Sequence, residues 1–176
     1  MPGGTTRRDV LAAGAASLSC FLIAGQRVWA RPADAVARHF TPDVLTTPQV
    51  AALQRLGDRL VPGAADAGLA AFVDAQLAAG TGSKLMAKYV GVPVEQQSGF
   101  YSAALDAVHQ ALETTAVDEL VGAMASDQVA DWQGPPASYV YFLLRADALD
   151  VTYGTKQGFA DLAIPYNAHI APETTW

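Results

Sequence analysis

Residues 136–150, PASYVYFLLRADALD, decide the fold. Val140, Phe142, Leu143, Leu144, Ala146 and Leu149 make the segment apolar on more than one side, as expected of a central helix enclosed by others. Gly134-Pro135-Pro136 stops any helix from running into it, because proline lacks the donor a continuing helix needs. Tyr139, Tyr141 and Phe142 at this spacing read as core aromatics rather than a cofactor stack.

The segments upstream carry the same period. Thr47-Pro48 reads as a helix start, and Val50, Leu53, Leu56 and Leu60 follow at helical spacing until Pro62-Gly63 ends the run. Asp66 is placed as the cap of a second helix with Leu69, Phe72, Val73 and Leu77 on one face, ended by Gly80-Thr81-Gly82. Ser83 starts a short helix with Leu85, Met86 and Tyr89. Gly91-Val92-Pro93 separates it from a long helix over about 94–113, with Phe100, Leu105, Val108 and Leu112 inward. Thr115 and Asp118 resemble a capping box ahead of Val117, Leu120, Val121 and Met124. No alternating strand run or internal repeat is read. The expected fold is all-α: a helical domain of about five to six helices at 47–150.

Downstream, Asp147 to Trp176 holds Tyr153, Phe159, Tyr166 and Trp176 with no sustained period. Gly154, Gly158, Pro165 and Pro172 break it into short pieces. A disordered terminus is poor in aromatics, so residues 151–176 read as an irregular, extended C-terminal arm ordered by contacts, either on its own helices or around a partner. The interface residues expected there are Tyr153, Phe159, Ile164, Tyr166, His169 and Trp176.

At the other end, Arg7 and Arg8 precede an alanine-rich apolar run from Leu11 to Gly25. An arginine pair before a run of about fifteen apolar residues, short of the roughly 20 that span a bilayer, reads as a twin-arginine export signal. Val28-Trp29-Ala30 has suitable residues for a signal peptidase, so residues 1–30 are the expected signal, cut after Ala30. Residues 31–46, with Pro32 and Pro42, read as a linker. Cys20 is not taken as a lipoprotein site, because Leu18 stands one position too close to it. The twin-arginine route exports folded proteins. A helical chain without a cofactor site has little need of it, whereas a partner loaded with its cofactor in the cytoplasm would.

Composition narrows the function. The 176-residue chain carries a net charge of −6. Losing residues 1–30 removes three arginines and one aspartate and takes the charge to −8, with no basic face for nucleic acid or anionic lipid. Cys20 is the only cysteine, so the chain offers no iron–sulfur ligand set and no haem attachment motif. His39, His109 and His169 lie too far apart in sequence for a metal-binding spacing. Asp147 and Asp150 are candidates for an acid/base pair, set against a plainer reading as local helix-end hydrogen bonds. No nucleophile elbow and no phosphate-binding glycine loop follow a strand.

Several short runs resemble the gluconate 2-dehydrogenase subunit 3 family. They are Val151-Thr152-Tyr153-Gly154-Thr155, Gly158-Phe159, Ile164-Pro165-Tyr166 and His169-Ile170-Ala171-Pro172. Asp58-Arg59-Leu60-Val61-Pro62, Ala67-Gly68 and Phe72-Val73-Asp74 resemble it further upstream. Where many members carry a glycine-glycine-asparagine turn, this chain has Thr155-Lys156-Gln157-Gly158, so the resemblance implies no particular substrate. It implies a non-catalytic small subunit in the periplasm, reaching the inner membrane only through its complex. The large subunit would hold FAD and oxidise a sugar or sugar acid, and a cytochrome subunit would hold haem c. This chain would hold no cofactor itself, and would supply the export signal and stabilise the flavoprotein. The alternative is a stand-alone periplasmic ligand-binding protein with a pocket between helices.

Overall fold

The computed structural model describes residues 19–165. It is mostly helical, as the periodicity predicts, with one small two-stranded sheet. The elements in order are β1 (Ser19–Ile23), β2 (Gln26–Ala30), α1 (Pro32–Ala37), α2 (Thr47–Leu60), α3 (Ala64–Ala67) and α4 (Leu69–Ala78). After two short 3₁₀ turns, Gly80–Gly82 and Met86–Tyr89, come α5 (Val94–Thr114), α6 (Val117–Ala125), α7 (Ala137–Tyr153) and α8 (Lys156–Asp161).

Local chemistry explains the boundaries. Thr46, one residue ahead of the expected start, caps α2: its hydroxyl accepts from Gln49 N–H, and Gln49 Oε1 accepts from Thr46 N–H. This reciprocal pair satisfies two donors that every helix start leaves free. The buried Gln49 side chain also reaches α5, donating to Ser102 Oγ at 2.9 Å and Asp106 Oδ1 at 2.8 Å. Asp66 caps nothing; it lies inside α3, and Gly68 with φ 92° joins α3 to α4. The Thr115 box does not form either. Ala116 is the cap of α6, and Asp118 pairs with Arg59 of α2.

α7 is central, packed among several helices, but the helix enclosed on all sides is α4. Every residue from Leu69 to Leu77 is buried. One side meets the main core of Leu53, Leu56, Leu105, Val108, Leu143 and Leu144. Gly57 brings α2 against it, since a Cβ there would lie 2.2 Å from Leu69 Cδ2. Its polar residues are used as fasteners. The buried Asp74 carboxylate accepts from the backbone N–H groups of Asp43, Val44 and Leu45 at 2.8–2.9 Å, which fixes the loop before α2.

The other side of α4 is covered by a stretch expected to be leader and linker. β1 and β2 pair antiparallel from Ser19↔Ala30 to Ile23↔Gln26. They are joined by Ala24 and Gly25, both at positive φ (48° and 77°), the condition for the tight turn that matches strand twist. Phe21 and Ala30 are buried with Ala35, Ala71 and Ala75 in a second apolar cluster. Residues 32–37 of the expected linker are helical. Their start rests on Gly68, where a Cβ would come within 2.3 Å of the Pro32 carbonyl carbon.

Candidate partner interface

α7 ends in the region where the arm was expected. Its buried stripe is Val140, Leu143, Leu144, Asp147, Ala148 and Val151. The opposite stripe holds Phe142, Arg145 and Leu149 at helical spacing, all exposed. Phe142 is 50% exposed and Leu149 36%, so the sequence reading of Phe142 and Leu149 as enclosed core is corrected. α7 packs against α2, α3, α4, α6 and α8, and Phe142 and Leu149 are the large apolar side chains it leaves outward.

Residues 155–161 are not extended. Thr155 caps α8, its Oγ1 accepting from Gly158 N–H at 3.0 Å. α8 folds back onto the end of α7. Gly158 makes this possible, because a Cβ there would lie 2.5 Å from Tyr153 Cα and 2.6 Å from Thr152 O. The chain then turns through Ala163, at φ 55°. Leu162 and Ile164 are left 48% and 50% exposed.

The expected interface residues therefore separate. Tyr153 is the last residue of α7, half-buried against the main core, which gives it a role in the fold itself. Phe159 is half-buried on α8, and Ile164 is exposed just beyond it. Tyr166, His169 and Trp176 lie outside the described residues, as do Arg7 and Arg8 of the expected export signal. Phe142 and Leu149 were missed as surface residues, although Arg145 between them marks the outward face.

Asp147 and Asp150 do not form an acid/base pair. The Asp147 side chain is only 1% exposed and points into the core. It accepts from Tyr101 Oη at 2.5 Å and from Met86 N–H at 3.2 Å. These partners lie far away in sequence, so the local-cap reading fails as well. Burial pushes the Asp147 carboxyl up to about 6, against the two hydrogen bonds, which favour its charged form; the nearby Asp150 charge raises it further. Burial also holds the Tyr101 phenol protonated, with the facing Asp147 charge adding to the effect. Asp150 sits on the exposed side.

A cavity of about 440 Å³ lies between the hairpin and α4. Cys20, Arg27, Trp29, Gln76 and Lys84 contribute to its walls. Among the described residues, no three His, Cys, Asp or Glu side chains gather as a metal site, and no helix is long and apolar enough to cross a membrane. His109 lies within 3.7 Å of Glu113 on the surface of α5. Comparison with protein-family models, curated proteins and solved structures finds no match to this chain.

Proposed function

We propose that this chain is the non-catalytic small subunit of a membrane-associated FAD-dependent dehydrogenase complex acting on a sugar or sugar acid. It carries the export signal and stabilises the flavoprotein subunit. The proposal rests on the resemblance of residues 58–62 and 151–172 to the subunit 3 family. The structural observation that carries it is the apolar surface of α7 and the end of α8: Phe142, Leu149, Leu162 and Ile164, each between 36% and 50% exposed. Large apolar side chains left partly in water on packed elements support the reading of this side of the molecule as a partner surface. Anchors of this type, once buried at an interface, typically contribute about 2 kcal/mol or more each, some thirtyfold in affinity. The test is Phe142→Asp with Leu149→Asp, read by thermal unfolding of the free chain and by capture of the large subunit. Binding should be lost while the melting temperature stays close to wild type. Retained binding refutes this surface as the interface.

A second reading, a stand-alone ligand-binding protein, is favoured by the cavity beside Trp29. It lies between the hairpin and α4 rather than between helices, as expected from the sequence. Under this reading the full chain purifies alone with a small molecule bound, and Trp29→Ala releases it. Under the first reading Trp29→Ala leaves complex formation unchanged.

A further inference from the structure

α4 is buried around its whole circumference, and two separate layers cover it. The main core takes one side. The other side, Ala71 and Ala75, is closed by residues 19–30, α1 and Phe40. Phe21 is the keystone of that closure at 2% exposed, and it meets Phe40 edge to face at 6.4 Å. Polar contacts fasten the hairpin at three further points. Ser19 Oγ, itself buried, accepts from Gln76 Nε2 at 3.2 Å. Leu22 O accepts from Thr41 N–H at 2.8 Å. Arg27 pairs with Asp43 at 2.7 Å, and Asp43 N–H is in turn held by Asp74.

The peptide bond after Ala30 is the one that small residues at positions 28 and 30 would offer to a signal peptidase. In the fold, Ala30 is 6% exposed and paired with Ser19. Peptidases take their substrates as single extended strands, using main-chain hydrogen bonds and pockets for alternate side chains. β2 holds one edge in its pairing with β1, and the Ala30 side chain is inside the second apolar cluster. Removing residues 19–30 would uncover Ala71, Ala75 and Ala35 and leave the buried Gln76 amide without its Ser19 partner. Apolar side chains returned to water lose the stabilisation that their burial supplied.

We propose that Ser19–Ala30 is a permanent part of the folded chain. The Ala30–Arg31 bond is then not a processing site in the folded protein, and any leader that is removed ends ahead of Ser19. This inference does not depend on a flavoprotein partner. It also means that the cavity lined by Cys20, Arg27 and Trp29 persists in the processed protein.

The full-length chain, purified from the cytoplasm, is treated with trypsin and cleavage at Arg27–Val28 is timed by mass spectrometry. The reference is a synthetic peptide of residues 19–38. The expected result is cleavage at least about 1,000-fold slower in the folded chain than in the peptide, because the exposed Arg27 must leave its pairing with β1 before a protease can take the segment as an extended strand. Phe21→Ala should speed the cut by about 100-fold, and Phe21→Leu should restore most of the protection. Circular dichroism of each variant separates hairpin opening from loss of the helical domain. Cleavage of the native chain at the peptide's rate, or no response to Phe21→Ala, overturns the proposal. In parallel, the intact mass of exported protein should show a start ahead of Ser19. A chain beginning at Arg31 overturns the proposal. Should no chain be exported, the trypsin rates decide alone.

Discussion

Asp147→Asn tests the buried phenol–carboxyl pair quantitatively. Burial raises Asp147 from the ordinary 3.8 to about 6. At 1.36 kcal/mol per tenfold, that difference amounts to about 3 kcal/mol. Between the two values the folded chain holds a proton that the unfolded chain has released. The contribution is therefore fully present below about pH 4 and is lost as pH rises through about 6. Tyr101 from α5 and Asp150 on the same helix are the titratable groups facing it, and both remain in the variant. Urea unfolding of wild type and variant from about pH 3 to 7.5 gives the comparison, because every other group titrates in both proteins. The stability advantage of wild type over Asp147→Asn should shrink by about 3 kcal/mol across this range. That equals about 6–12 °C in melting temperature for a chain of this size. Parallel pH curves for the two proteins would refute the burial account of Asp147.

Three other outcomes are expected. Asp74→Ala leaves the backbone N–H groups of Asp43, Val44 and Leu45 without their acceptor; urea titration should show a loss of about 3 kcal/mol or more. Gly158→Ala drives a Cβ into the end of α7, so hydrogen exchange should speed up at the Phe159, Leu162 and Ile164 amides while α2 and α5 keep their protection. Arg7→Lys with Arg8→Lys should hold the chain in the cytoplasm, measured by fractionation, together with dehydrogenase activity if the flavoprotein travels with it.

The helical character and most helix boundaries were legible, because Leu53, Leu56, Leu105 and Val108 recur at the helical period and Pro-Gly pairs interrupt it. The choice of central helix was not. Residues 69–77 and 140–149 are both apolar on more than one side, and only packing shows that the hairpin covers the back of α4 while α7 keeps one face in solvent. Arg145 was the available hint. The hairpin itself was hidden for a physical reason. Leu22 is apolar although only half-buried on the face of β1 opposite Phe21, so Phe21-Leu22-Ile23 runs apolar without alternation. Its turn also uses Ala24 where asparagine or aspartate would have signalled it. Asp147 with Tyr101 and Asp74 with residues 43–45 join positions distant in the chain, and no local pattern encodes such pairings. Of the expected interface, Tyr153, Phe159 and Ile164 fall at the junction of α7 and α8, where glycine and proline had marked a change of structure.

The central claim is tested most directly by purifying this chain under gentle conditions from the organism that encodes it and recording mass and visible absorbance together. The account predicts that a large flavin-containing subunit copurifies, that the flavin spectrum bleaches on addition of an oxidisable sugar or sugar acid, and that Phe142→Asp with Leu149→Asp abolishes the association. Recovery of this chain alone, as a monomer and with no flavoprotein at any step, would contradict it.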